Sequence, residues 1–326
     1  MKVAVIGAGA WGTALAKLLV EAEHDVVLWS HRAEGLKEIA SSRRFESGLP
    51  GVELPLALRF EPDLARAIGG CDFAVVSVPS KAFRSVCLQM AGFRGIVVST
   101  SKGIELETGF TMCDIIRETV PGAAPAALSG PSLALEVARR IPTACVAAAA
   151  DQATAQAVQA LFHCPAFRIY TNTDLQGVEL GGALKNIFAI AAGVGDGLGF
   201  GDNAKASLIT RALAEMRRLG VACGARSDTF SGLSGLGDLT VTCFSKLSRN
   251  RCFGERLGRG GTVAEILAET KAVVEGYPTA KSARQLALRL GVDAPIIDEV
   301  HAMLYEAKPA KTAVRALTAR ESKAED

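Results

Sequence analysis

The sequence predicts an α/β N-terminal domain built on a doubly wound parallel sheet, followed by an all-α C-terminal domain. Three observations lead there. Short β-branched runs alternate with helical stretches early in the chain, and the strand signal fades after about residue 172. The length, 326 residues, also exceeds a single ordinary core of ~150 residues. The expected domains are residues 1–172 and 173–326.

The elements follow in order. Lys2–Ile6 (KVAVI), Asp25–Trp29 (DVVLW), 73–78 (FAVVSV) and Ile96–Ser99 (IVVS) are continuous apolar runs, as strands covered on both faces require. Between them, 11–21, 63–68 and 82–90 carry helical patterns. Residues 126–129, 143–148 and a run near 167–170 add further strand candidates. Beyond them, Ala- and Leu-rich helices are expected at 174–193, 203–219, 280–290 and 294–305, punctuated by Gly220, Gly291 and Pro295. The charged stretch 319–326 is expected to fray.

Composition narrows the function classes. Lys and Arg number 36 against 34 Asp and Glu, so no broad field attracts nucleic acid or an anionic membrane, and an anionic ligand needs a local site. The eight cysteines are scattered, without a C-x-x-C pair or a Cys/His cluster, which argues for idle thiols in a reducing compartment and against a metal site or disulfide framework. Glycine arrives at residue 7, too early for a signal-peptide apolar region, and the apolar stretch 187–194 is cut short by Gly195 and Asp196. A soluble, cytoplasmic protein without membrane insertion is expected.

The first strand runs straight into Gly7-Ala8-Gly9-Ala10-Trp11-Gly12, a full G-x-G-x-x-G opening a helix. The first glycine permits the turn, the second admits a pyrophosphate to the backbone, and the third lets helix and strand approach; the helix N-terminus then faces the phosphates. The context is that of a Rossmann-type dinucleotide site, where a bare glycine-rich turn is the alternative. NAD enzymes usually end the second strand on an acidic residue, but Ser30-His31-Arg32 stand there. A guanidinium at that place suits a 2′-phosphate, which favours NADP over NAD; an exposed loop arginine without a ligand is the alternative.

Four polar or glycine-rich stretches interrupt apolar surroundings: 99–103 (STSKG), 129–132 (SGPS), Lys185-Asn186, and Ser248-Arg249-Asn250. The first two follow strands, at the carboxyl ends that line the ligand crevice of such sheets, so they are expected to face the glycine loop's crevice. Lys185 stands in 180–192, a helix made largely of Leu, Ile, Phe, Ala and Gly, where burial disfavours its charge unless it is partnered. Such a lysine can give a proton to a carbonyl oxygen and take it back. Snorkelling from one helix face is an equal alternative. Asp238 is a lone carboxylate among small and apolar residues, either a charge partner or a helix cap.

GAGAWGTALA (7–16), STSKGIE (99–105), SGPSLALEV (129–137), the block from ELGGALKN to ALAEM (179–216), SGLGDLTVTC (234–243), SRNRCFG (248–254) and VVEGYPTAKSA (273–283) together resemble the bacterial NAD(P)-dependent glycerol-3-phosphate dehydrogenase family, over essentially the whole chain. Members interconvert dihydroxyacetone phosphate and sn-glycerol 3-phosphate. The resemblance implies Lys185 as proton donor and acceptor, with Asp238, Asn186 and Thr242 beside it or the substrate. It implies Lys102 on substrate and nicotinamide, Gly130 and Ser132 on substrate, and a grip from Ser248, Arg249 and Asn250, with Arg249 also near the cofactor. With the glycine loop (Gly7, Gly9, Ala10, Gly12), Trp11, His31, Arg32, Ala134, Val273 and Glu275 would line the cofactor site. A homodimer supplying glycerol phosphate for phospholipid synthesis is also implied.

Arg249 with the Asn250 amide could clamp a phosphate dianion, and Lys102 and Lys185 could stabilise and protonate the oxygen that gains charge on hydride transfer. Two departures stand out. Leu133 occupies a position where relatives commonly carry Phe. Gly48 precedes Leu49-Pro50-Gly51 where many carry an aromatic, so no cofactor role is expected of residues 45–49. Two other readings compete: a β-hydroxyacid or ketopantoate-type reductase, which would not need the Ser248-Arg249-Asn250 grip, and a nucleotide-sensing binding protein, which would not need Lys185, Asp238 and Lys102.

Overall fold

The computed structural model describes residues 1–270, 273–321 and 324. Residues 322, 323, 325 and 326 of the charged tail expected to fray lie outside the described residues. The chain divides into two compact units, Met1–Lys102 with Phe110–Glu179, and Gly103–Gly109 with Leu180–Asp326.

The first unit is a single sheet with intervening helices. In chain order it runs β1 (Lys2–Ile6), α1 (Ala10–Glu21), β2 (Asp25–Trp29), α2 (Ala33–Ser42), β3 (Arg59–Phe60), α3 (Leu64–Ile68), β4 (Phe73–Val76), α4 (Ser80–Leu88) and β5 (Ile96–Ser99). It continues through α5 (Met112–Thr119), β6 (Ala124–Ser129), α6 (Ala134–Ala138), β7 (Thr143–Ala149), α7 (Gln152–Phe162) and β8 (Phe167–Asn172). The strand order β3-β2-β1-β4-β5-β6-β7-β8 places a topological switch between β1 and β4. Val3 and Val5 point to one face of β1, Ala4 and Ile6 to the other, and all four are fully buried, so the sheet is covered on both sides.

Two expectations need correction. The strand expected over 73–78 stops at Val76, and Pro79, which cannot extend a ladder, caps α4. The sheet is also not wholly parallel, because β6 and β7 pair antiparallel, with Ala126 opposite Ala149. The connection between them, residues 130–142, carries the short α6. Helices α2, α5, α6 and α7 add to those expected from the sequence: Thr111 and Asp114 form a capping box on α5 and Asp151 caps α7, while α2 and α6 start without a side-chain cap.

The second unit is helical. Its elements are α8 (Leu175–Gly197), α9 (Asp202–Ala222), a 3₁₀ turn at Ser227–Ser231, a π-turn at Leu233–Gly237, α10 (Asp238–Phe244), α11 (Arg249–Gly258), α12 (Val263–Glu269), α13 (Gly276–Leu290), α14 (Pro295–Tyr305) and α15 (Ala310–Thr318). Of the described helices, only α8 is long and apolar enough to cross a bilayer, but 94% of its apolar window is buried, which makes it a core helix. Leu184, Ile187, Phe188 and Ile190 of α8 gather Met216, Phe230, Leu239 and Ile297 into one core. Gly291 in the left-handed conformation ends α13, and Pro295 opens α14.

Candidate active site

The glycine loop adopts the geometry its sequence requires. Gly7 has φ +119, and a Cβ on it would lie 2.4 Å from the Ser77 carbonyl oxygen in the loop after β4, at the sheet's switch point. A Cβ on Gly12 would lie 1.9 Å from the Gly7 oxygen, so helix and turn can approach only as glycines. Gly9 is the opposite case: nothing lies within 4 Å of where its Cβ would stand, and α1 begins there without a side-chain cap. An open backbone approach at an uncapped helix N-terminus is what a pyrophosphate needs, so these residues fit a dinucleotide. Trp11 packs with Phe45 around Ala14, Leu49, Val52 and Ala138, which gives the 45–49 loop a structural part beside the glycine helix.

After β2, His31 and Arg32 are both exposed, and Arg32 occupies the N-cap position of α2. Its backbone N–H donates to Ser30 Oγ over 3.2 Å, while its guanidinium makes no ion pair among the described residues. The strand-end loops of this unit converge on one carbonyl. Lys102 Nζ lies 3.5 Å from Gly130 O, and Ser132 Oγ donates to the same oxygen over 3.0 Å. Ala134 opens α6 immediately after them, with Leu133 as its N-cap residue.

In the second unit Lys185 does not snorkel. It is 7% exposed, its ammonium donates to Asp238 Oδ1, and it also donates to Thr242 Oγ1 over 2.8 Å. Asp238 is 1% exposed and starts α10; its carboxylate meets the lysine, and Thr242 Oγ1 donates to its main-chain oxygen over 2.6 Å. A buried lysine and carboxylate so close satisfy each other where either alone would be costly. Cys243 next to them stays a neutral thiol, because burial pushes its pKa to about 12 despite the nearby Lys185.

A second polar set adjoins Lys185 in sequence. Asn250 Nδ2 donates to Asn186 Oδ1 over 2.9 Å, and Gly276 N–H donates to Asn250 Oδ1 over 2.9 Å. Ser248 caps α11 by accepting from Arg251 N–H over 3.2 Å, which leaves Arg249 exposed as the helix's first residue. Glu275 is the N-cap residue of α13, and Val273 is half-buried two residues before it.

Sequence reading passed over one charged set. Arg251 and Asp196 pair over 2.7 Å, Asp196 and Lys205 over 2.7 Å, and Arg251 and Glu255 over 3.1 Å, all with little exposure. Arg251 hides in an arginine-rich segment, where a buried arginine looks like its exposed neighbours. Lys185 was conspicuous because its own helix is apolar.

Comparison with known proteins follows the two halves of the chain. Residues 2–155 match the model for the NAD-dependent glycerol-3-phosphate dehydrogenase N-terminus, and 174–315 the one for its C-terminus. A glycerol-3-phosphate dehydrogenase (NAD(P)+) of Geobacter sp. strain M21 is 50% identical over 99% of this chain and 98% of that protein. The Geobacter metallireducens enzyme of the same name is 51% identical over the same shares. The crystal structure of glycerol-3-phosphate dehydrogenase from Coxiella burnetii superposes with TM-score 0.94 at 35% identity, covering 98% of this chain and 99% of that one. The chain belongs to the NAD-dependent glycerol-3-phosphate dehydrogenase family.

Proposed function

We propose that the chain catalyses the reversible, NAD(P)-dependent interconversion of dihydroxyacetone phosphate and sn-glycerol 3-phosphate. The observation that carries this reading is the buried Lys185–Asp238–Thr242 set, a proton carrier held in place in the same unit as the exposed Arg249 that heads α11. A dinucleotide held at the glycine loop Gly7–Gly12 would supply or take the hydride at the carbonyl carbon. Lys185 gives its proton to the carbonyl oxygen as charge develops there, and recovers it in the reverse direction. Asp238 and Thr242 fix the ammonium, so no reorganisation is needed when the oxygen becomes negative.

The remaining assignments follow the same reading. Arg249 grips the phosphate as a charge-assisted fork, with the Ser248 hydroxyl and the Asn250 amide beside it on the first turn of α11. Asn186 holds the Asn250 amide and contacts substrate. Lys102, Gly130 and Ser132, already converging on one carbonyl, are the first unit's substrate contacts. Gly7, Gly9, Ala10, Trp11 and Gly12 receive the dinucleotide, with His31, Arg32, Ala134, Val273 and Glu275 and with Lys102 and Arg249. The exposed Arg32 guanidinium supports a preference for NADP over NAD. Residues 1–172 then serve as the dinucleotide domain and 173–326 as the substrate domain. Likeness to the family supports a cytoplasmic homodimer that feeds phospholipid synthesis.

The test mixes protein with dihydroxyacetone phosphate and NADPH, then NADH, and follows the reduced-nicotinamide absorbance. Oxidation that requires the phosphate is expected, faster with NADPH. No oxidation with either cofactor, from protein that binds both, would refute the reading and point to a hydroxyacid reductase. Equal rates with both cofactors would remove the Arg32 assignment.

A further inference from the structure

Arg251 is a buried cation with no place in the chemistry above. It lies on α11 two residues after Arg249, with its side chain 9% exposed. Its guanidinium reaches Asp196 of α8 over 2.7 Å and Glu255 of its own helix over 3.1 Å. Asp196 is held from its other side by Lys205 of α9 over 2.7 Å. At the other end of the same residue, the Arg251 N–H donates to the Ser248 cap. Arg251 therefore ties the first turn of α11 at both its backbone and its side chain.

These ties are not what holds the two helices together. A Cβ on Gly193 of α8 would lie 2.0 Å from the Arg251 carbonyl oxygen, and one on Gly254 of α11 would lie 2.0 Å from the Ile190 oxygen. Gly197 meets Glu255 O, and Gly258 meets Val194 O, in the same way. The helices thus pack backbone against backbone along a reciprocal glycine seam, one turn apart on each. The seam holds the Arg251 carbonyl and the Asn250–Asn186 bond holds the residue before it, so the first turn of α11, with Arg249 at its exposed start, sits at a fixed place on α8. Asp196 and Glu255 add a further hold on that turn, through the Arg251 side chain. They also neutralise its charge within the buried set, so Arg249 is the cation presented outward.

We propose that Arg251, clamped by Asp196 and Glu255, is a positioning residue that aims Arg249 at the substrate's phosphate. The proposal rests on the reading of Arg249 as the phosphate clamp. A guanidinium swung off its line by an ångström loses the two-pronged fit to a phosphate, while a proton transfer at Lys185 is untouched. The effect of losing Arg251 is therefore confined to the phosphate end of the substrate.

The experiment compares steady-state kinetics of Arg251→Met, Arg249→Ala and the double variant with dihydroxyacetone phosphate, and of Arg251→Met with unphosphorylated dihydroxyacetone. Expected for Arg251→Met are a KM for the phosphorylated substrate raised about 30-fold, and a kcat/KM for dihydroxyacetone within about twofold of the parent. The double variant should be no worse than Arg249→Ala alone, since both remove one function. Equal losses on the two substrates, or independent losses that multiply in the double variant, would overturn the proposal in favour of plain stabilisation. Should Arg251→Met not fold, Arg251→Lys keeps a charge for Asp196 without the fork and is expected to raise that KM several-fold at unchanged kcat; a parental KM would be decisive against positioning. An unchanged KM in Arg249→Ala would remove the phosphate-clamp reading itself, whatever Arg251 does, and the proposal with it.

Discussion

A lysine in an apolar helix is stable only because of what it touches. Lys185 is buried with its ammonium shared between the Asp238 carboxylate and the Thr242 hydroxyl. Removing the lysine does two separable things: it takes away the proton carrier, and it strands a carboxylate that is 1% exposed. For Lys185→Ala we expect turnover to fall about 10³-fold, as loss of a general acid with its charge does, while NADPH affinity changes less than twofold. Stability should also fall by roughly 3 kcal/mol from the unpaired carboxylate. Single-turnover kinetics, a cofactor titration and urea denaturation measure the three effects; near-parental turnover would take Lys185 out of the chemistry. The lysine was legible in the sequence because of its apolar neighbours, but whether it snorkels or pairs depends on residue 238, 53 positions away.

At the scale of elements, α8 and α11 pack at backbone distance. Gly193 and Gly197 face Gly254 and Gly258, and each added Cβ would fall within 2.4 Å of a backbone atom of the other helix. Backbone cannot rotate out of the way as a side chain does, so Gly254→Ala should cost roughly 3 kcal/mol, the upper end of overpacking penalties. Gly35 in α2 makes the control, since nothing lies within 4 Å of its Cβ position. There the same substitution should gain up to about 1 kcal/mol from helix propensity. Denaturation midpoints of the two variants give the comparison; a tolerated Gly254→Ala would mean that the helices can slide apart. The sequence puts Gly193 at the end of an expected helix, and Gly254 and Gly258 lie outside the expected ones. It could not show that they face each other.

For the whole molecule, among the described residues each unit buries one glutamate whose pKa is raised from 4.5 to about 7. Burial raises Glu179 against the pull of its hydrogen bonds from Thr111 and the Cys113 N–H. Burial likewise raises Glu215, which accepts the Ile296 and Ile297 N–H groups at the start of α14. A carboxyl that binds its proton more tightly folded than unfolded contributes stability that is complete below pH 4.5 and is lost as pH rises to about 7. The loss is up to about 3 kcal/mol per group. Thermal denaturation should therefore show lower stability at pH 8 than at pH 5.5 from this source. Glu179→Gln, which keeps an acceptor for Cys113 without a titrating proton, should reduce that drop; an undiminished drop would show that Glu179 ionises freely in the fold.

By itself the sequence determined the order of apolar strands and helices, the glycine loop with the geometry its three glycines require, and the family block around Lys185. These are local properties: a period, a turn or a spacing is written within a dozen residues, and the physics that reads it acts at that range. Tertiary structure decided what depends on residues far apart in sequence. It turned β7 antiparallel to β6, paired Lys185 with Asp238, and set α11 against α8 at backbone distance. It also buried Arg251 between two carboxylates while leaving Arg249, two residues earlier, exposed. Charge by itself does not say whether an arginine faces water or a carboxylate; only packing brings the partner within reach and removes the water between them.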